Sequence, residues 1–171
     1  MNNKRGALLL IDDEKLIHMV VKAMLDDVAE SIDSAYNGLE ALDMMAKKDY
    51  DGIVSDINMP LMSGLKMLEE MRVREIRIPV IILTSYSDKT NMLQALRLGA
   101  VDFLEKPFEA EKLALSVRST LDMGLALKKC DEELNQIYQE NGVPEAAGDS
   151  IKRIFNSSRY LRKSMQLGLK K

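Results

Sequence analysis

Cysteine, proline and long apolar runs are all scarce in this sequence of 171 residues. The single cysteine, Cys130, excludes an internal disulfide framework and fits a reducing compartment. The longest apolar runs, such as Ala7–Ile11, are far too short to cross a membrane. The first residues lack the longer apolar run and the small-residue cleavage site of a signal peptide. We therefore expect a cytoplasmic protein.

Neither sign of charge dominates the chain as a whole. The 24 basic and 27 acidic residues give a net charge of −3, which does not favour a nucleic-acid-binding protein. The charge is unevenly spread, because residues 142–171 contain seven Lys or Arg but only two Asp or Glu. An acidic body is thus followed by a basic tail.

Short apolar runs alternate with amphipathic segments along most of the chain. Predicted strands cover residues 7–11, 31–36, 52–55, 79–83 and 102–105. Predicted helices cover residues 16–25, 38–47, 64–74 and 89–98, and a long helix begins at residue 109. This alternation predicts a doubly wound α/β fold, with helices on both faces of a five-stranded parallel sheet. Ligands of such folds bind at the carboxyl ends of the strands.

Three carboxylates fall at two of those strand ends. Asp12 and Asp13 follow the first strand, and Asp56 follows the third. In a doubly wound sheet these strands are central neighbours, so we expect the three side chains to converge. Like charges at close range repel unless a cation lies between them, and carboxylate oxygens are ligands that Mg²⁺ prefers. The alternative is that Asp12 and Asp13 only cap the next helix.

Two further strand ends carry a hydroxyl and an ammonium group. Thr84 and Ser85 follow the fourth strand, and Lys106 follows the fifth, directly before Pro107. A hydroxyl and an ammonium that face a metal-bound carboxylate suit a phosphoryl group, whose oxygens need donors and whose charge needs cations. The set as a whole indicates phosphoryl chemistry, although each residue alone has an ordinary structural interpretation.

Four ordered segments of the chain resemble the receiver domain of two-component response regulators. They are LLLIDDE, IVSDINMPLMSGLKML, VIILTSYSD and DFLEKPF, and the resemblance covers residues 5–125. It implies the flavodoxin-like strand order 2-1-3-4-5. It also implies a switch protein that is not an enzyme acting on a separate substrate. The partner would be a histidine kinase or a histidine phosphotransfer protein.

The resemblance assigns the acids to phosphoryl acceptance and metal binding. Asp56 would be the phosphoacceptor, taking the group from a phosphohistidine. Asp13, Asp56 and the backbone carbonyl of Asn58 would bind Mg²⁺ directly, and Asp12 would hold it through water. Asn58 also occupies one of two variable positions that tune the lifetime of the acyl phosphate, and Tyr86 occupies the other.

Thr84, Lys106 and Phe103 have implied roles in the response to phosphorylation. Thr84 would donate its hydroxyl to the phosphoryl group, and Lys106 would pair with a phosphoryl oxygen. Phe103 stands where many relatives have a tyrosine that moves inward when Thr84 moves. Because phenylalanine has no hydroxyl, a plain core role for Phe103 is an equal alternative.

The only histidine of the chain, His18, lies on the first predicted helix. We expect it to be an exposed residue of the docking surface, because it has neither the neighbours of a metal ligand nor those of a phosphoryl donor. Cys130 has no activating neighbour. Four methionines at helical spacing are expected in the core: Met24, Met45, Met67 and Met71.

A helical extension is predicted beyond the receiver, which covers residues 1–125. The last helix continues through 126–141, a linker covers 142–149, and a basic amphipathic helix covers 150–171. An incomplete apolar stripe on the long helix would permit a coiled coil, and so a homodimer. The basic helix is expected to dock on its own or a partner subunit rather than on a membrane. It is too short for a winged-helix or helix-turn-helix domain, so specific nucleic-acid binding is not expected.

Two other functions compete with the phosphoacceptor interpretation. The first is a receiver-fold interaction or dimerisation module that works without phosphorylation. The second is a Mg²⁺-dependent phosphohydrolase of the haloacid dehalogenase type. The second needs a DxD motif after the first strand, and the residues Asp12-Asp13-Glu14 do not supply it.

Overall fold

The structure, a computed structural model, describes residues 4–85 and 89–141. Within them, five strands alternate with five helices. The strands are β1 (Ala7–Ile11), β2 (Ser31–Ala35), β3 (Gly52–Asp56), β4 (Val80–Ser85) and β5 (Asp102–Lys106). The helices are α1 (Lys15–Met24), α2 (Gly38–Lys47), α3 (Gly64–Val73), α4 (Lys89–Arg97) and α5 (Ala110–Glu140). The predicted boundaries are correct to within a few residues.

All strands pair in parallel in the order β2-β1-β3-β4-β5, which confirms the predicted doubly wound sheet. The three inner strands, β1, β3 and β4, are almost wholly buried because helices cover both of their faces. The edge strands β2 and β5 are more polar and only partly buried, as strands with one unpaired side usually are.

The sheet separates the core into two layers because successive side chains of a strand point to opposite faces. On β1, Leu9 and Ile11 pack in the layer that also contains residues of α2 and α3, including Met67 and Met71. Leu8 and Leu10 pack in the other layer, with Val21 of α1 and residues of α5. Met24 and Met45 are partly buried against these two layers. All four methionines therefore pack in or against the core, as expected.

Local signals place the helix ends. The side chains of Asn37 and Ser63 accept hydrogen bonds from the backbone amides of Glu40 and Lys66, and so cap α2 and α3. After α4, Gly99 adopts a φ of 88°, a left-handed conformation that commonly ends a helix. The predicted linker and basic helix of residues 142–171 lie outside the described residues.

Helix α5 has 31 residues, far more than are needed to cover the sheet. The residues of the chain fall into two compact units, Met1–Leu125 and Ala126–Lys171. In the first unit, Gly124 lies directly on the backbone of Asp51, where an added Cβ atom would be 1.8 Å from the carbonyl oxygen. Over the described ranges, no helix is apolar enough over a sufficient length to cross a membrane.

Candidate functional site

Lys106 joins two acidic side chains at the carboxyl edge of the sheet. Its Nζ atom donates to Asp12 Oδ2 at 2.7 Å and to Asp56 Oδ1 at 2.6 Å. The three residues come from the ends of β1, β3 and β5, so the parallel register brings them to one edge, as predicted. The site is therefore built from strand ends, where the backbone is held rigidly.

Asp12 is held by several hydrogen bonds at once and is completely buried. Its backbone amide donates to Ala35 O at 3.2 Å and thereby extends the pairing of β1 with β2. Its Oδ1 accepts from the Glu14 amide at 2.9 Å, which satisfies a free donor at the start of α1. Its Oδ2 faces Lys106. Asp12 thus closes the turn before α1 and contributes to the acidic site, while the N-cap residue of α1 is Glu14, without a side-chain cap.

Asp56 is mostly buried, and its side chain is 13% exposed. One oxygen pairs with Lys106, and Oδ2 accepts from the Asn58 amide at 2.6 Å. Burial raises the pKa of Asp56 above its ordinary value, the charge of Asp12 adds to this rise, and the pairing with Lys106 only partly offsets it. Lys106 alone therefore does not compensate for the cost of burying the charged Asp56 carboxylate.

Two opposing effects also act on the pKa of Lys106. Burial on its own would lower the pKa of the ammonium group, but the hydrogen bonds to Asp12 and Asp56 outweigh it and raise the pKa of Lys106. Lys106 is therefore a fixed cation at this site. The peptide bond between Lys106 and Pro107 is cis, as the resemblance leads one to expect.

The loop after Asp56 is fixed from two sides. Ser55 Oγ donates to the carbonyl oxygen of Asp56 at 2.9 Å. The Gly64 amide donates to Ile57 O at 2.9 Å, so the loop closes on itself before α3 begins. These contacts fix the backbone on either side of Asp56 and give its carboxylate a defined position.

The other predicted site residues are described by their burial and by their position on the strands. Thr84 is 5% exposed at the end of β4, and its hydroxyl donates to Ser85 O at 3.2 Å. Asp13 follows Asp12 at the same strand end, but its side chain is exposed. Phe103 is 38% exposed, which counts against the alternative of a plain core role. Tyr86 lies outside the described residues.

The acidic side chains at this edge of the sheet are candidates for binding Mg²⁺. Among the described residues, no three His, Cys, Asp or Glu side chains form a group ready to hold a metal ion, so Asp13 does not complete such a group as it stands. The donor chemistry nevertheless fits a hard divalent cation, because Asp12 and Asp56 present two buried carboxylates that need positive charge.

The prediction for His18 is wrong. The ring is 4% exposed, Nε2 lies 2.7 Å from the carbonyl oxygen of Asp12, and Nδ1 lies 2.8 Å from Ser34 Oγ. Helical periodicity misled here because the apolar neighbours Leu16 and Met19 are the exposed residues of α1, at 66% and 70%. A polar ring that is paired at both nitrogens can be buried at low cost.

Comparison with known families identifies the class of protein to which this fold belongs. The model of the response regulator receiver domain matches residues 8–118, so the chain belongs to that family. Proteins of this family partner histidine kinases in two-component systems and accept a phosphoryl group; they are not enzymes in the usual sense.

Individual relatives support this membership. The chain is 34% identical over 132 residues to the regulatory protein AtoC of Escherichia coli, covering 77% of this chain and 28% of AtoC. It is 37% identical over 111 residues to the transcriptional regulatory protein DltR of Streptococcus agalactiae, covering 65% of this chain and 50% of DltR. The chain thus spans half or less of the length of these two relatives.

Solved structures resemble the same part of the chain. The receiver domain of the Francisella response regulator 1452 is 31% identical with a TM-score of 0.63, covering 68% of this chain and 97% of that one. The chemotaxis response regulator CheY4 of Vibrio cholerae is 28% identical with a TM-score of 0.62, covering 68% and 99%.

Proposed function

We propose that this chain accepts a phosphoryl group on Asp56 from a phosphohistidine and changes its protein contacts in response. The observation that supports this most directly is the placement of Lys106 between the buried carboxylates of Asp12 and Asp56. The ammonium group of Lys106 favours the anionic form of Asp56, whereas burial disfavours it. An anionic oxygen held in place beside a fixed cation is what nucleophilic attack on a phosphoryl group requires.

In the transfer, an Asp56 oxygen attacks phosphorus, the new O–P bond forms, and the P–N bond to the donor imidazole breaks. Both reactants are negatively charged, so repulsion is the main barrier that the site must remove. Lys106 neutralises part of this charge and can pass from Asp56 to a phosphoryl oxygen. Thr84 is buried nearby at the end of β4, and its hydroxyl is the proposed donor to another oxygen.

Mg²⁺ is the proposed cofactor, held directly by Asp13, Asp56 and the backbone carbonyl of Asn58, and through water by Asp12. When bound, it would supply further positive charge to the phosphoryl oxygens. The Asn58 amide already binds Asp56 Oδ2 at 2.6 Å, so the loop that carries its carbonyl is adjacent to the acceptor. Asn58 and Tyr86 are the proposed tuning residues for loss of the phosphoryl group.

The proposed partners are a histidine kinase or a histidine phosphotransfer protein and, downstream, another protein. Phe103 is a candidate for the moving aromatic, because its ring is partly exposed on edge strand β5 rather than locked in the core. A homodimer through the helical extension is compatible with this output. A cytoplasmic location is proposed as well, since a single cysteine suits a reducing compartment.

The direct test is incubation of the full chain with Mg²⁺ and acetyl phosphate, followed by intact-mass and peptide analysis. We expect addition of one phosphoryl group on Asp56, and no addition in Asp56→Asn or in the presence of a chelator. An unmodified wild-type chain would instead favour the alternative, a receiver-fold interaction module that works without phosphorylation. The molecular size of the protein in solution and the protection of residues 142–171 from proteolysis, each measured with and without beryllofluoride, would show whether the site controls assembly.

A further inference from the structure

The ring of His18 joins the site to the neighbouring strand. Nε2 is 2.7 Å from the backbone carbonyl oxygen of Asp12, and Nδ1 is 2.8 Å from Ser34 Oγ on β2. The ring also packs on Tyr36, with centroids 4.7 Å apart and planes at 48°. His18 is therefore fixed on three sides.

The hydrogen-bonding pattern determines which ring nitrogen carries the hydrogen. A backbone carbonyl can only accept, so the hydrogen must be on Nε2. In the neutral ring, Nδ1 is then the acceptor of the Ser34 hydroxyl hydrogen. This tautomer orients the ring and makes the Nε2–H bond to Asp12 a fixed feature of the β1–α1 turn.

The Asp12 carbonyl belongs to the peptide unit that connects Asp12 to Asp13. Since a peptide unit is planar, holding this oxygen fixes the plane from which both acidic residues project. The other polar groups of Asp12 are already paired with Ala35, Glu14 and Lys106. The bond from His18 completes the set, so Asp12 is held at its backbone and at both carboxylate oxygens.

We propose that His18 is a positioning residue that sets the Mg²⁺ affinity of the site by fixing the Asp12–Asp13 peptide. The proposal rests on the proposed function, in which Asp12, Asp13 and Asp56 hold Mg²⁺. Without the ring, the buried carbonyl loses its partner and the turn gains freedom that metal binding must then remove. The expected result is weaker Mg²⁺ binding in a chain that still folds.

A matched pair of variants isolates the Nε2–H bond. His18→Phe keeps an aromatic ring but removes both nitrogens. His18→Gln places an amide N–H the same number of bonds from Cα as the imidazole Nε2, and so can still donate to Asp12. With Mg²⁺ as the only ligand, calorimetry should show affinity reduced about three- to tenfold in His18→Phe, the worth of one buried hydrogen bond, and largely restored in His18→Gln. Equal affinity in wild type and His18→Phe would overturn the proposal.

Ser34→Ala is a second control, because it removes the partner of Nδ1 and leaves the bond to Asp12 in place. Its Mg²⁺ affinity should lie closer to wild type than that of His18→Phe. An equal loss in both variants would assign the effect to packing against β2 and would count against the Asp12 bond. Unfolding in the presence of a chelator shows whether each variant is folded.

The wild-type chain offers a test that needs no variant. Because His18 is the only histidine, ¹⁵N-labelled imidazole gives one set of NMR signals. These should show the tautomer with hydrogen on Nε2, and they should shift when Mg²⁺ is added. The other tautomer, or signals that do not respond to saturating Mg²⁺, would refute the positioning role even if His18→Phe fails to fold.

The failure of this inference is distinct from failure of the proposed function. A wild-type chain that is phosphorylated on Asp56, with His18→Phe unchanged in Mg²⁺ affinity, refutes only the positioning role. A chain that shows the affinity loss in His18→Phe but is never phosphorylated refutes only the acceptor function. A wild-type chain that does not bind Mg²⁺ refutes both.

Discussion

Gly64 lies so close to Asp56 that no other residue type fits at position 64 without displacing the backbone of Asp56. A Cβ atom added to Gly64 would be 2.1 Å from the carbonyl oxygen of Asp56 and 3.0 Å from Ser55 Oγ. The clash is with backbone, which cannot turn aside as the end of a flexible side chain can. The first helical residue of α3 thus determines how the chain passes behind the acceptor.

Gly64→Ala should therefore impair both stability and phosphorylation. We expect a loss of about 2–4 kcal/mol in the free energy of unfolding, as for other substitutions that overpack a rigid site. Labelling of Asp56 by acetyl phosphate should also slow. Gly52→Ala is the matched control, because its new Cβ would meet only side-chain atoms at 3.2 Å and beyond. Urea unfolding and the labelling rate measure the two effects, and equal losses in both variants would contradict the prediction.

Lys106→Met should abolish most phosphoryl acceptance while retaining the volume of the side-chain stem. The substitution leaves Asp12 and Asp56 facing each other without the ammonium that both contact. The pKa of Asp56 should rise further, because its main favourable charge is gone. Lys112→Met, at an exposed position on α5, is the control and should label as the wild type does. Mass spectrometry over time reports the labelling, and normal labelling in Lys106→Met would refute the role of the cation.

Asp56→Asn should stabilise the metal-free fold at neutral pH. Burial, together with the charge of Asp12, raises the pKa of Asp56 despite Lys106, which means that folding disfavours its charged form. The neutral amide removes this cost, so the free energy of unfolding should rise. Urea unfolding in a chelator is the measurement. A loss of stability would mean that the pairing with Lys106 outweighs burial.

Asp33 should contribute stability that is lost in acid. Hydrogen bonds from Lys48 and Tyr50 lower the pKa of this carboxyl in the folded chain. Its contribution is therefore present above the pKa of the unfolded chain and disappears as the pH falls through the lower, folded value. Because the pair with Lys48 is partly exposed, Asp33→Asn should cost only about 0.5–1 kcal/mol at neutral pH. Unfolding free energies at neutral and strongly acidic pH test this, and a difference that persists in acid would contradict it.

Phe103→Ala should leave the fold largely intact, whereas Leu104→Ala should not. Phe103 is 38% exposed and Leu104 is 2% exposed, although they are adjacent on β5. We expect losses of below about 1 kcal/mol and of about 2–4 kcal/mol respectively. Thermal or urea unfolding gives both values. A large loss in Phe103→Ala would restore the core interpretation of this residue.

Sequence patterns predicted the sheet and the meeting of Asp12, Asp56 and Lys106 at its edge. The alternation of strands and helices indicates a parallel sheet, and the carboxyl ends of parallel strands lie at one edge. Sequence patterns failed for His18, since on α1 the apolar Leu16 and Met19 are exposed while a histidine and Val21 are buried. Burial of a polar ring depends on partners from other segments, here Asp12 and Ser34, and no local pattern reveals these. The exposure of Phe103 likewise depends on its place at the sheet edge.

The counter-charge of the two buried acids comes from the last strand of the sheet. Lys106 is separated from Asp12 by 94 residues and from Asp56 by 50. During synthesis, both acids therefore leave the ribosome long before the ammonium that neutralises them. Under the proposed function, a nascent or truncated chain that lacks β5 has no ammonium group to pair with Asp12 and Asp56, and so has no finished acceptor. Under the proposed function, competence to accept a phosphoryl group therefore arises only when β5 has joined the sheet.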